Sequence, residues 1–309
     1  MYVGNGQLPY NMMFVTGACR TGKTTLSRIL GSLEHVEWIE EPYELSLLLW
    51  SMGYGKADDN FTWEKQIFTG ICKELINDTI LLRRGNFRPG DLSTLWNYKE
   101  GKEIFERLVN LNTRQDVKEY LKAANRKFVI DIPNILGQAN FIKQNCKNMV
   151  LFHVVRNPYD IAQAVYEKHW YSDENIRFPS DGDNTPCRKY AKDGAEYCIP
   201  WWLEEGREEE FIDAAEYERG VIYWLSVEKS SGEERTTQDF LIKYEDLVSS
   251  TGKVLDNICS IIEGCPTGRT MALCSELHDK FIVGQRRPVH LSAHYQSRLE
   301  QLKEMYGYE

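Results

Sequence analysis

The chain has 309 residues, 42% hydrophobic, 27% charged and 12% aromatic, which is the composition of a globular protein long enough to bury a large core. Disordered, collagen-like and disulfide-scaffold classes are excluded. With 37 Lys and Arg against 46 Asp and Glu, the formal net charge is −9, so bulk electrostatics do not favour nucleic acid or an anionic membrane, and an anionic ligand must be held locally.

The N-terminal stretch MYVGNGQLPYNMMFVTG has no basic n-region and no long apolar run. No window approaches the roughly eighteen apolar residues that span a bilayer; the richest, Leu45 to Trp50, is far too short. A cytoplasmic protein without membrane or nucleic-acid partners is expected. The eight cysteines contain no C-x-x-C pair, so reduced thiols are expected, with Cys187 and Cys198 able to pair only under oxidation.

Met12 to Thr16 reads as the first strand, followed by a Gly-rich turn, a helix from about Lys23 to Leu33, and a short strand from Val36 to Ile39. Residues 43 to 125 read as a helical insertion. Lys127 to Asp131 and Met149 to Val155 are uninterrupted apolar runs rich in β-branched residues, the pattern of parallel strands covered on both faces. Phe240 to Lys243 gives another strand, and a helix from about Leu247 to Ile262 is stopped by Gly264 and Pro266. The alternation predicts an α/β protein with a mostly parallel central sheet; together with the motifs of the chain, residues 1–309 read as one P-loop-like three-layer α/β/α domain. Residues from about 171 to 220 differ in character: turn formers, Trp201 and Trp202, and the acidic run Glu204, Glu205, Glu208, Glu209 and Glu210. They read either as a loop-rich lid over the active face or as a solvated excursion.

Gly17-Ala-Cys-Arg-Thr-Gly22-Lys23-Thr24-Thr25 fits G-x-x-x-x-G-K-[ST] between a strand and a helix. Gly17 and Gly22 let backbone N–H groups converge, the helix N-terminus adds positive potential, and Lys23, Thr24 and Thr25 add donors, so a phosphate or sulfate group belongs there. Arg20 is an unusual second cation three residues before Lys23. After the Met149 to Val155 run comes Arg156-Asn157-Pro158-Tyr159-Asp160. Asn157 suits an N-cap and Pro158 the first helical position, which places Arg156 at a strand-to-helix corner where its guanidinium can grip a phosphate. A strand-end salt bridge is the competing reading of Arg156.

With GACRTGKTTL, VVRNPYDIAQAVY, IKYEDLV and the tail LSAHYQSRLEQLKEMYGYE in order along almost the whole chain, the sequence resembles the sulfotransferases that use 3′-phosphoadenosine 5′-phosphosulfate (PAPS). The resemblance implies that Arg20, Thr21, Gly22, Lys23, Thr24 and Thr25 line the 5′-phosphosulfate pocket and that Arg156 binds the 3′-phosphate. It implies a further 3′-phosphate role for Arg286 and Arg287, which stand in Gly284-Gln-Arg-Arg287. A serine that the family places eight residues after the arginine is Ala164 here. The cytosolic branch's histidine base has no counterpart in Val129-Ile-Asp-Ile-Pro-Asn134. The carbohydrate-type branch's glutamate is matched by Glu41 in Trp38-Ile-Glu-Glu-Pro-Tyr43, with Glu40 as the alternative base and Asp131 as a weaker one.

The expected function is transfer of a sulfuryl group from PAPS to a hydroxyl or amine of a small-molecule acceptor, releasing adenosine 3′,5′-bisphosphate (PAP). Arg20 and Lys23 would stabilise the leaving charge, Glu41 would act as general base, and no metal is expected. The acidic run, with Asp173 and Glu174, suggests a cationic acceptor unless it is only a solvated face. Two alternatives stand beside this reading: a kinase or NTPase using ATP and Mg²⁺, with Asp131 as metal ligand, and an inactive nucleotide-binding module. His290 and His294 have metal-pair spacing without a third ligand, so capping or solvated roles are expected. His169, Trp50, Trp63, Trp201 and Trp202 are candidates for an acceptor pocket.

Overall fold

The structure, a computed structural model, describes residues 7–52, 62–91, 93–179, 186–228, 239–277 and 287–308. Arg286 lies outside the described residues. Five strands form the main sheet: β1 (Leu8–Thr16), β2 (Val36–Glu40), β3 (Lys127–Asp131), β4 (Cys146–Val155) and, at its edge, β7 (Asp239–Lys243). Their order is β2-β3-β1-β4-β7 and every pairing is parallel. β1 begins at Leu8 rather than Met12, because its pairing with β4 reaches back past the apolar run to Leu8 opposite Cys146.

Both faces of the sheet are covered. Met12 and Phe14 of β1, with Phe128 and Ile130 of β3, pack against α2 (Tyr43–Met52), α3 (Thr62–Ile80), α5 (Arg114–Ala124) and α6 (Ala139–Asn145). Between α3 and α5 lies α4 (Gly101–Asn110). On the other face, Met13 and Val15 pack with α1 (Lys23–Gly31), α12 (Thr251–Ile262) and α13 (Gly268–Ser275). Alternate side chains of one strand thus enter two different cores, which is why these strands read as unbroken apolar runs. The result is a three-layer α/β/α fold around a parallel sheet.

A third apolar cluster gathers α7 (Pro158–Tyr166), α8 (Asp173–Arg177), α9 (Glu208–Asp213), α10 (Glu216–Glu228) and the terminal α14 (Ala293–Tyr306). The helix expected from about Leu247 is two helices: α11 (Tyr244–Ser249) starts directly from β7, and α12 follows after Ser250. The stretch read as loop-rich contains a regular antiparallel hairpin, β5 (Cys187–Lys192) with β6 (Ala195–Pro200), turned by Asp193 and Gly194 in the left-handed region. Among the described residues, no helix is long and apolar enough to cross a membrane.

Candidate active site

In a parallel sheet the strands end together, and β1 sits centrally with β3 and β4 on either side, so the loops leaving these strands meet at one edge. Three non-glycine residues adopt positive φ there: Arg20 at 69° after β1, Glu41 at 27° after β2 and Asn134 at 61° after β3. Such conformations cost energy, and they concentrate where loops are held for a purpose.

The loop after β1 is braced from within and without. Lys23 is 4% exposed and its Nζ donates to the Ala18 carbonyl at 2.9 Å, as does Thr21 Oγ1 at 2.8 Å. The Asn134 amide donates to the Gly17 carbonyl at 3.1 Å, which ties the loop to the end of β3. Gly17 has φ 140° and a Cβ there would lie 2.1 Å from the Val154 carbonyl oxygen; only glycine fits between the loop and β4. Gly22, at φ 92°, opens α1. Thr24 and Thr25 sit half-buried in the first turn of that helix, and Arg20 is exposed.

Arg156 leaves β4 beside this loop. Its Nη1 donates to the Arg20 carbonyl at 3.3 Å and its guanidinium lies over the Tyr244 ring, 4.6 Å from the centroid. Asn157 caps α7 through Tyr159 N, with Pro158 at the start, as its sequence predicts. The Asn157 amide donates to Glu245 Oε1 at 2.9 Å, and the other Glu245 oxygen accepts from the Tyr308 hydroxyl at 3.0 Å. The loop, the Arg156 corner and the chain's tail therefore form one assembly. The Arg287 guanidinium lies over Tyr166 at 4.1 Å and near Tyr217, whose hydroxyl donates to the Tyr159 carbonyl at 3.1 Å, in the first turn of α7.

The carboxylates lie on the β2 and β3 side. Asp131 is fully buried; its Oδ1 accepts from Trp38 Nε1 at 2.8 Å and from the Glu41 amide at 3.3 Å, while Oδ2 makes no hydrogen bond among the described residues. Burial pushes its pKa up to about 7, with the Trp38 hydrogen bond and Lys23 opposing and Glu41 reinforcing. Glu41 is exposed, beside Asp131 and at the rim of a cleft of about 370 Å³ that Glu40 and Glu44 share. Glu40 is an exposed residue whose carboxylate is nonetheless partly desolvated, and this, with the charges of Glu41 and Asp91, raises its pKa.

On the other side of the loop, Tyr223 of α10 is buried with its hydroxyl accepting from the Cys19 amide at 2.6 Å and donating to Asn134 Oδ1 at 2.9 Å. A cavity of about 460 Å³ opens at this contact, walled by Trp50, Trp170, Trp201 and Trp202. Trp63, an expected pocket residue, is instead 75% exposed on α3. His169 pairs with Glu216 at 3.1 Å, and His294 lies 3.7 Å from Glu204. Tyr223, Tyr244 and Asn134 were not singled out by the sequence reading. Tyr244 stands inside the IKYEDLV motif, but nothing local marks a tyrosine whose partner is a glycine 222 residues away.

No protein-family model matches the sequence, and no curated protein matches it. Solved structures do resemble the chain. The sulfotransferase domain of the Synechococcus PCC 7002 olefin synthase is 17% identical with a TM-score of 0.49, covering 98% of this chain and 96% of that one. The sulfotransferase domain from the curacin biosynthetic pathway is 13% identical with a TM-score of 0.49, covering 98% and 99%. A sulfotransferase from Alicyclobacillus acidocaldarius is 14% identical with a TM-score of 0.41, covering 98% of each. All three are sulfotransferases by name. At these identities no residue role passes from one chain to another.

Proposed function

We propose that the protein transfers a sulfuryl group from PAPS to a hydroxyl or amine of a small-molecule acceptor. The observation that carries this reading is the joining of two anion-binding corners, the Gly17–Thr25 loop and Arg156, through the Arg156 hydrogen bond to the Arg20 carbonyl. A nucleotide with phosphate groups at both ends of its ribose suits two such corners. The loop suits such a group: Thr24 and Thr25 stand half-buried in the first turn of α1, and Gly17 and Gly22 let the backbone curl tightly against the Val154 carbonyl and the Tyr244 ring, where a Cβ would clash.

Arg20, Thr21, Gly22, Lys23, Thr24 and Thr25 would hold the 5′ end and Arg156 the 3′-phosphate. PAPS supplies the sulfuryl group when bound: its bond from sulfur to the bridging oxygen breaks as one forms to the acceptor, and PAP is left. Arg20 and Lys23 stabilise negative charge at the loop, the task that metal ions share in phosphoryl transfer. Glu41 takes the acceptor's proton. Asp131 is the less suitable base, because its free oxygen is sealed from solvent and its other oxygen already accepts two hydrogen bonds.

Asp131 is also the observation that favours a second reading, a kinase or NTPase with Asp131 as Mg²⁺ ligand, since it closes an apolar strand beside Lys23. Thermal stabilisation separates the two. The proposal expects PAP to raise the melting temperature without Mg²⁺, and stabilisation that requires both ATP and Mg²⁺ would sink it. Glu41→Gln should abolish transfer while PAP binding persists; PAP binding by the wild type with no transfer to any acceptor would mark an inactive nucleotide-binding module.

A further inference from the structure

The strand that delivers Arg156 carries a histidine among apolar residues. His153 is 3% exposed on β4, level with Thr16 at the end of β1 and with Leu241 of β7. Its Nε2 stands 2.9 Å from Oε2 of Glu228, the fully buried last residue of α10. The same carboxylate oxygen accepts from the Tyr306 hydroxyl at 2.7 Å, where α14 ends. The rings of His153 and Trp224 both meet the Tyr306 ring edge-on, each with centroids 6.1 Å apart. Burying a carboxylate with a histidine is costly, and well-packed apolar residues in their place are often at least as stable, so the position that such a cluster fixes explains it better than the stability it adds.

What this cluster fixes is the turn after α14. Gly307 takes the left-handed region at φ 64°, and beyond it the Tyr308 hydroxyl donates to Glu245 Oε2 at 3.0 Å. The other oxygen of Glu245 accepts from the Asn157 amide at 2.9 Å, beside Arg156. Two carboxylates thus hold two tyrosines on either side of one glycine: Glu228 from α10 takes Tyr306, and Glu245 from α11 takes Tyr308. A hydroxyl donating to a carboxylate is among the stronger side-chain hydrogen bonds, so each grip is specific in position. The helix that supplies Glu228 also reaches the loop after β1, through Tyr223 and the Cys19 amide, and so backs both anion-binding corners.

We propose that Tyr306, anchored by the buried Glu228 and His153, is a positioning residue for the Arg156 corner. It fixes the turn through which Tyr308 and Glu245 hold the Asn157 amide, and so aims the Arg156 guanidinium at its phosphate. The inference rests on the sulfotransferase reading for the identity of the ligand, whereas the bracing of the corner stands on these contacts alone. A role confined to packing is the competing account, and it predicts lost stability with no change at the corner.

Titration of PAP into Tyr306→Phe, Tyr308→Phe and the double variant tests it, since each single change removes one hydroxyl and keeps the ring. Tyr306→Phe is expected to weaken PAP binding about fivefold, the size of one lost hydrogen bond. The double variant should bind no more weakly than the weaker single variant, because two breaks in one tether loosen it no further than one. Glu228→Gln keeps an oxygen for the Tyr306 hydroxyl and should fall between wild type and Tyr306→Phe. Hydrogen exchange of the unliganded protein, read by mass spectrometry on residues 156–160, should quicken in Tyr306→Phe while β4 stays protected. Wild-type PAP affinity in Tyr306→Phe, losses that multiply in the double variant, a Glu228→Gln protein that binds more weakly than Tyr306→Phe, or unchanged exchange at 156–160 overturns the inference. If the wild type fails to bind PAP, the sulfotransferase reading falls instead, and the exchange measurement alone decides whether Tyr306 braces the corner.

Discussion

Arg156 and Tyr244 form a stacked pair, with the guanidinium carbon 4.6 Å from the ring centroid, and the same ring fills the space that a side chain at Gly22 would need. A Cβ on Gly22 would stand 2.3 Å from Tyr244 Cδ2. The glycine of the loop, the platform and the arginine are therefore one mechanical unit. Tyr244→Ala should weaken PAP binding about five- to tenfold by freeing the guanidinium. Gly22→Ala should do worse, because it strains a left-handed backbone and displaces the ring together. Titration of PAP into each variant is the check, and equal affinities would show that the stack does not position Arg156.

The tail reaches the same corner from the opposite end of the chain. Tyr308 donates to Glu245, Glu245 accepts from the Asn157 amide, and Lys243 bonds the Gly307 carbonyl at 3.4 Å. If Arg156 holds the 3′-phosphate as proposed, removing the hydroxyl with Tyr308→Phe should raise the KM for PAPS a fewfold and leave kcat unchanged, since the tail braces the Arg156 corner. A fall in kcat at constant KM would contradict this role.

Much of the site was legible because its chemistry is local. The loop needs glycines and cations at fixed spacing, and a strand-end arginine followed by Asn-Pro announces both a corner and a helix cap. The parallel strands were legible because covering both faces removes polar residues from them. The Tyr223 bridge, the Tyr244 platform and the Tyr308 tether were not, since each depends on contacts between residues 63 to 222 positions apart, and tyrosine is common in cores without any such role. The aromatic setting of Arg287, over Tyr166 and near Tyr217, was likewise not legible, since it joins residues far apart in the chain.

On β2, the edge strand opposite β7, Glu37 is 1% exposed and ion-paired to Lys99, Arg107 and Arg126. Burial would raise its pKa, but the three cations reverse this and hold it down at about 2. Because the folded value lies below the unfolded one, its contribution to stability is present above about pH 4 and is lost as pH falls towards 2. Glu37→Gln should cost about 3–5 kcal/mol at neutral pH by leaving buried cations uncompensated, and should remove that part of the acid dependence. Urea unfolding across this pH window measures both, and a change under 1 kcal/mol would mean that the cations find other partners.

Asp131 should behave with the opposite sign. Its folded pKa is raised to about 7, above an unfolded value of about 4, so the native state holds its proton more tightly and loses relative stability as pH rises through that interval. Asparagine resembles the protonated acid and keeps an oxygen for Trp38 Nε1 and the Glu41 amide. Asp131→Asn is therefore expected to be stabilising by about 2–4 kcal/mol at pH 7 and neutral near pH 4. If Glu41 is the base, this variant also retains transfer, because the proton passes to a carboxylate that the substitution leaves in place. Retained turnover with a rise in stability at pH 7 would assign Asp131 to holding the Glu41 turn, whereas loss of turnover without loss of PAP binding would move the base from Glu41 to Asp131.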